Sequence, residues 1–531
     1  MAAPGCDLRL SPALGVALGV ASFVLLAWVA VKPSLAGVNS DAAVYLLQAD
    51  YLSPWRTVDI HFGAQLFAHY PFPPLYPLLL AALGGGSGAP ALNYIIDGWC
   101  QALAVVATWC WARRLGCDGP AAAIAAVSLA LTPVALFTAM GVFSEPLYLA
   151  LSMTALALVS GPRISPRAWH SAALLLGLAA VTRSVGALAV VALLLIWARR
   201  TGARTAPWVL VLALAPMLLW QLFKLAQGWT GGYMPTLFAN GVPRVALALL
   251  AQLPTNLHAL AYHFVRCFDT LNSPHSRVVL ALLLIPAGWV WAQRLRAGQI
   301  DACYVGLYLV VLLLWPYPNH FSRFLLVLLP VFCAYACLGT RGLLARCPLA
   351  ALRVRASALT ALVLLVVLLP SLLQVIQSIA TASSAPAPMV TRISSWYEHD
   401  SLAAARRSTA FSLRVLAAMQ TLGAQLPRDA CVSSTMAEIF MLHSRRLSRR
   451  PPPHSQDLSS LRAALAACPY VLLLSSSPAP AADYPSYYPL ARVADELATL
   501  TTVASDTVHP AQQPLAILAR YRALGGRAAE R

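Results

Sequence analysis

Apolar residues run along this chain in stretches of roughly membrane thickness, separated by short basic or longer polar connections. The first, 11–31, is long enough to cross about 30 Å of hydrocarbon as a helix. A cleaved leader is the competing reading, because Ser34, Leu35 and Ala36 compose a small-residue site. The run nevertheless exceeds the roughly 7–15 residues of a usual leader core, which favours an uncleaved anchor. Further spans are expected at 91–112, 120–140, 145–161, 168–182, 184–198, 206–226, 278–293, 302–316, 323–340 and 356–378, about eleven in all.

One pair is short: 168–182 and 184–198 each rise only about 22 Å at 1.5 Å per residue. They read as a hairpin with Arg183 at its tip, facing protein or a cavity, since an arginine in lipid tails is costly. One long tilted helix with a buried, paired arginine is the alternative; Arg167 at one end and Arg199 with Arg200 at the other favour the hairpin.

Two long outer loops result, 33–90 and 227–277. In the first, "HYPFPPLYPLLLAALGGG" has an apolar part too short to span and reads as an interfacial or re-entrant helix closed by glycines. After residue 378 the pattern changes. Strand-like "ACVSS" and "YVLLLSS" alternate with helical "STMAEIFMLHS" and "LSSLRAALAA", which predicts a small α/β domain over 379–531. Within it "SRRLSRRPPPH" reads as a solvated loop. The expected architecture is thus a polytopic α-helical membrane domain, 1–378, followed by an α/β domain outside the cytoplasm.

Composition agrees with that pattern: 59% of residues are hydrophobic and 11% charged, against about 25% charged in soluble domains. The net charge of +18 does not point to nucleic acid, because the basic residues sit in short clusters between apolar runs. With a cytoplasmic amino terminus the short inner loops hold Arg113, Arg114, Arg163, Arg167, Arg199, Arg200, Arg204, Arg294, Arg296, Arg341, Arg346, Arg353 and Arg355, as the positive-inside rule requires. The eleven cysteines form no CxxC pair, and most lie in apolar runs. Cys431 and Cys468, in the polar part, suit a disulfide in an oxidising compartment, with packing on neighbouring strands as the alternative.

Ionisable residues gather at the outer ends of the spans. In "NSDAAVYLLQADY" Asp41, Tyr45 and Gln48 recur at helical spacing and form one polar stripe, with Asp50 off it and read as solvated. Asn39, Ser40 and Asp41 all make good helix caps, so capping and catalysis compete for Asp41; a cap does not require the stripe behind it. Glu145 in "FSEPLYLAL" completes a helix start signal, and as a carboxylate at a membrane boundary is also a substrate or metal candidate. Arg323, which opens a span, has snorkelling to the interface as its plain reading. Lys32, His61, His69, Tyr70, Lys224 and His320 complete the outer polar set. The spans look nearly free of charge at mid-depth, which argues against an ion or proton pathway.

Taken in order, "NSDAAVYLLQAD", "YPFPPLYPLLLAAL", "FSEPLYLAL", "AAVTRSVGALAV" and "SRFLLVLLPVF" resemble the C-type (GT-C) membrane glycosyltransferases, nearest to the protein-mannosyltransferase-like family and the aminoarabinose transferases that modify lipid A. The resemblance covers most of the membrane part. It implies an inner-membrane enzyme that transfers a sugar from a polyprenyl phosphate to a lipid, glycan or protein acceptor outside the cytoplasm, usually with inversion. It puts the catalytic acid on Asp41, as general base, and phosphate ligands on Arg183 and Arg323. Tyr45, Gln48, His69, Tyr70 and Glu145 fall in the substrate-binding set.

The chain departs from the family at two places. Ala42 follows Asp41 where many relatives carry a second acid, and Phe72 stands where aminoarabinose transferases carry a lysine, leaving His69 or Tyr70 to substitute. A divalent metal stays open as a cofactor, with Glu145 and His69 as candidate ligands. The competing functional classes are a transporter or flippase of a lipid-linked saccharide, for which an inverted repeat would speak and none is seen, and a non-catalytic scaffold, which leaves the Asp-Tyr-Gln stripe unexplained.

Overall fold

A Thr132-Pro133 step breaks what the hydrophobic pattern reads as one span at 120–140. Proline lacks the N–H and pushes the preceding residue out of the α region, and Thr132 accordingly takes an extended ψ of 146°. Helix Gly119–Leu131 therefore ends and helix Pro133–Met140 starts afresh, with a 50° bend between the pair. The Thr132 hydroxyl donates to the Ser128 carbonyl at 2.7 Å and so satisfies one acceptor freed by the break.

The computed structural model describes residues 12–30, 39–55, 62–161, 164–201, 207–229, 250–270, 272–315, 318, 321–345, 350–381, 402–452, 457–474, 493, 495–503 and 515–522. The chain divides into two units, 1–32 with 67–80 and 91–384, and 33–66 with 81–90 and 385–531.

The first unit is helical. Its remaining long elements are Pro12–Ala30, Pro90–Arg114, Glu145–Val159, Pro166–Ala180, Gly186–Thr201, Pro207–Ala226, Leu253–Phe268, Pro274–Arg296, Ile300–Leu313, Leu329–Leu344 and Ala350–Thr381. Among the described residues five helices are long and apolar enough to cross a membrane, or six if the bent pair counts as one. The other expected spans are apolar helices of 14 to 19 residues. Without a hydrophobic driving force in lipid, such helices associate through close backbone approach at small residues. Gly177 is an instance: a Cβ there would stand 2.8 Å from the carbonyl oxygens of Leu212 and Ala213. Helix Pro207–Ala226 exposes Trp208, Leu218, Leu219, Leu222 and Leu225, as a lipid-facing helix must.

The expected hairpin at 168–198 is present as two helices, Pro166–Ala180 and Gly186–Thr201, packed on each other across a short turn. Gly186 makes the turn possible, because a side chain there would collide with the Ala180 backbone. The short apolar segment of the first outer loop is helix Leu75–Ala82, followed by Gly84 in the left-handed region.

The second unit holds a five-stranded sheet in the order β2-β1-β3-β5-β4, with β1 at Cys431–Ser434, β2 at Leu447–Arg449, β3 at Tyr470–Leu474, β4 at Leu497–Val503 and β5 at Ala516–Tyr521. Strand β1 is parallel to both β2 and β3, with helices Ala437–Ser444 and Leu458–Ala467 in the two connections, while β5 pairs antiparallel with β3 and β4. Leu461, Leu465, Val471 and Val493 form a core under the sheet. A disulfide joins Cys431 to Cys468. The segment read as a solvated loop instead supplies β2, because Leu447–Arg449 finds a parallel partner in β1 that local sequence does not announce.

Candidate functional site

In the helical unit three chain segments bring Glu145, Arg183 and Arg323 together. Glu145 is the first residue of helix Glu145–Val159 and is fully buried. It follows a buried turn in which Val142 holds a φ of 57°, a conformation costly for a β-branched residue and sustained only where surrounding packing imposes it. Arg183 lies in the turn between the paired short helices, and its Nη1 is 2.5 Å from Glu145 Oε1. Arg323 belongs to the short helix Phe321–Leu325 and binds the same oxygen through Nε.

Aromatic rings complete the interlock. The Arg323 guanidinium lies 4.2 Å from the centre of the Phe143 ring, and that of Arg183 lies 5.7 Å from Phe324. Arg323 is also braced through its neighbours. His263 Nδ1 and Ser322 Oγ are 2.6 Å apart, and Tyr308 donates to the Phe324 carbonyl at 2.9 Å.

The arginine side chains are 12% and 11% exposed, so water screens them poorly. Both guanidinium groups converge on a single carboxylate oxygen. Glu145 Oε2 is buried with no hydrogen-bond partner among the described residues. A cluster of this kind is suited to an anion that carries further hydrogen-bonding groups, as a phosphate ester of a sugar does.

The same geometry bears on a metal. Glu145 Oε1, shared by two guanidinium groups, does not fit a cation, and His69 is exposed at the end of helix Gly63–His69. Among the described residues no group of three His, Cys, Asp or Glu side chains gathers to hold one. Tyr70 is half-buried, with its ring edge-on to Phe72 at 6.5 Å. Lys32, His61 and His320 lie outside the described residues, as do residues 230–249 of the second long loop.

In the other unit the competition over Asp41 has a clear outcome for the cap. Asn39 caps helix Ser40–Leu52, its side chain accepting from the Asp41 N–H at 3.1 Å, and Asp41 stands half-buried in the first turn. Tyr45 and Gln48 are buried behind it.

Asp50, read as solvated, is also buried. It accepts from the Ser87 N–H at 2.9 Å and from the Ser87 hydroxyl, and Arg445 Nη1 lies 3.3 Å from its Oδ2. Burial pushes its carboxyl above the ordinary range, against the opposing effect of Ser87 and Arg445. Its partners lie far along the chain, so helix spacing alone did not reveal them.

Within one expected span, Asp97 is fully buried in helix Pro90–Arg114. Just before another, Asp301, at the start of helix Ile300–Leu313, is held by Arg294 at 2.9 Å and Tyr335 at 2.8 Å. For Asp97 an acid inside an apolar run was the available signal.

Among solved structures the chain is similar along nearly its whole length to ArnT from Cupriavidus metallidurans. In the apo state the TM-score is 0.50 at 14% identity, covering 96% of this chain and 98% of that one. Bound to undecaprenyl phosphate, the TM-score is 0.50 at 13% identity, with 95% and 97% covered. The archaeal oligosaccharyltransferase AglB from Archaeoglobus fulgidus, in complex with an inhibitory peptide and a dolichol-phosphate, follows with a TM-score of 0.47 at 14% identity, covering 86% of this chain and 69% of that one. No protein-family model and no curated protein sequence matches the chain. The chain shares the fold of ArnT: apolar helices with a small α/β sheet toward the carboxy terminus.

Proposed function

We propose that this protein is a glycosyltransferase of the inner membrane that moves a sugar from a polyprenyl-phosphate donor to an acceptor on the extracytoplasmic side. The observation that carries this reading is the pair of nearly buried guanidinium groups, Arg183 and Arg323, organised on one carboxylate. The fold shared with a protein solved with undecaprenyl phosphate supports a lipid phosphate as their ligand.

In the proposed reaction the acceptor hydroxyl oxygen forms a bond to the anomeric carbon while the bond from that carbon to the phosphate oxygen breaks. The hydroxyl proton passes to Asp41, and the polyprenyl phosphate leaves as an anion whose charge Arg183 and Arg323 stabilise. Asn39 takes the cap of helix Ser40–Leu52, so capping does not account for the Asp41 carboxylate. Glu145 holds both arginines on one carboxylate oxygen and so orients them. No step is routed through a metal.

The Cys431–Cys468 disulfide supports an oxidising location for the α/β domain and, with the arginine distribution, a cytoplasmic amino terminus. The test is to purify the protein with its bound lipid, identify the head group by mass spectrometry, and supply that lipid in vesicles. Release of free polyprenyl phosphate supports transfer; movement of the intact lipid between leaflets without release identifies a flippase instead.

A further inference from the structure

Asp97 is a fully buried acid in a membrane helix, and no ion pair reaches it among the described residues. Its partner is a phenol: the Tyr76 hydroxyl lies 2.9 Å and 3.0 Å from the two carboxyl oxygens and is itself fully buried. A buried acid–phenol pair in an apolar span is expensive to keep and brings little net stability over an apolar pair of the same shape. Its value must lie in what it fixes.

Tyr76 sits in the first turn of helix Leu75–Ala82, directly after Pro73 and Pro74. The neighbouring Leu75 N–H donates to the Val181 carbonyl at 3.0 Å. Val181 caps helix Pro166–Ala180 and opens the turn that carries Arg183. Two consecutive residues are therefore tied to two different elements, Tyr76 to helix Pro90–Arg114 and Leu75 to the Arg183 turn. The rigid prolines before them leave little room for independent adjustment.

We infer that Asp97 and Tyr76 are positioning residues for Arg183: they set the seat of helix Leu75–Ala82, which backs the turn presenting that arginine to Glu145 and to the phosphate. The inference rests on the proposed phosphate role of Arg183, and its test separates the two. The purified protein in nanodiscs is titrated with undecaprenyl phosphate, and Tyr76→Phe is compared in the wild-type and Arg183→Ala backgrounds.

Tyr76→Phe weakens binding about 5- to 10-fold in the wild-type background and adds nothing once Arg183 is gone, as coupled residues do. Asp97→Asn, whose amide oxygen still accepts from Tyr76, keeps near wild-type affinity, whereas Asp97→Ala follows Tyr76→Phe. If Tyr76→Phe yields no folded protein, the paired Asp97→Leu, Tyr76→Phe exchange leaves no orphaned carboxyl and reads the same coupling. Equal losses in both backgrounds, or no loss in the wild type, overturn the inference. Unchanged binding in Arg183→Ala itself overturns the phosphate reading beneath it.

Discussion

Arg183 Nη1 stands 2.5 Å from Glu145 Oε1, and Arg323 reaches the same oxygen from a third segment of the chain. Two cations on one acid make each arginine depend on Glu145 for its place. Arg183→Ala or Arg323→Ala is expected to weaken undecaprenyl phosphate binding about 10- to 100-fold, the scale of a lost charged hydrogen bond. Glu145→Gln is expected to destabilise the helical unit by about 3–5 kcal/mol, since it leaves two buried guanidinium groups facing each other. Lipid titration and thermal unfolding of the purified protein check these separately. Arginine variants that bind lipid normally would remove the phosphate role.

Asp50 gives the second unit a pH dependence whose sign follows from its burial. Its carboxyl is raised above the ordinary 3.8, so the folded state binds a proton more readily than the unfolded state. The contribution of this group to stability is therefore fully present below about pH 3.8 and is lost as pH rises through the folded value. Asp50→Asn cannot titrate. The wild type is expected to gain stability relative to Asp50→Asn as pH falls from neutrality toward 4, measured by hydrogen exchange across helix Ser40–Leu52. Arg445→Ala removes a cation that opposes the shift and moves the same transition to higher pH. A difference that grows with rising pH contradicts the assignment.

The Cys431–Cys468 bridge closes a loop that contains β2 and Arg445. Chain entropy puts the loss on opening it at about 3–4 kcal/mol for a separation of 37 residues. Reductant is expected to lower the denaturation midpoint of the wild type to that of the Cys431→Ser, Cys468→Ser variant and to leave the variant unchanged. Equal midpoints with and without reductant in the wild type would mean that the bridge contributes nothing.

How far the molecule was legible depends on the range of the interactions involved. Apolar runs announce helices because burial in lipid needs only length and composition, and the hairpin with Arg183 at its turn was visible in two runs too short to cross comfortably. The break at Thr132 follows from a local rule about the residue before proline, although the continuous apolar pattern concealed it. Candidate positions at Glu145, Arg183 and Arg323 were readable one by one, but their convergence on one carboxylate oxygen was not, because no spacing encodes it. Asp50 shows the limit most plainly. Helical phase put it off the polar stripe, while its partner Arg445 stands 395 residues further along the chain.

The central claim, glycosyl transfer assisted by Asp41, is tested most directly by the rate at which free polyprenyl phosphate is released from the co-purified sugar lipid. The measurement compares the wild type with Asp41→Asn in the same vesicles, after both are shown to bind undecaprenyl phosphate equally. Removal of a general base is expected to slow release at least about 100-fold while binding is retained. Release at the wild-type rate by Asp41→Asn, or intact lipid with no release by the wild type, would contradict the account.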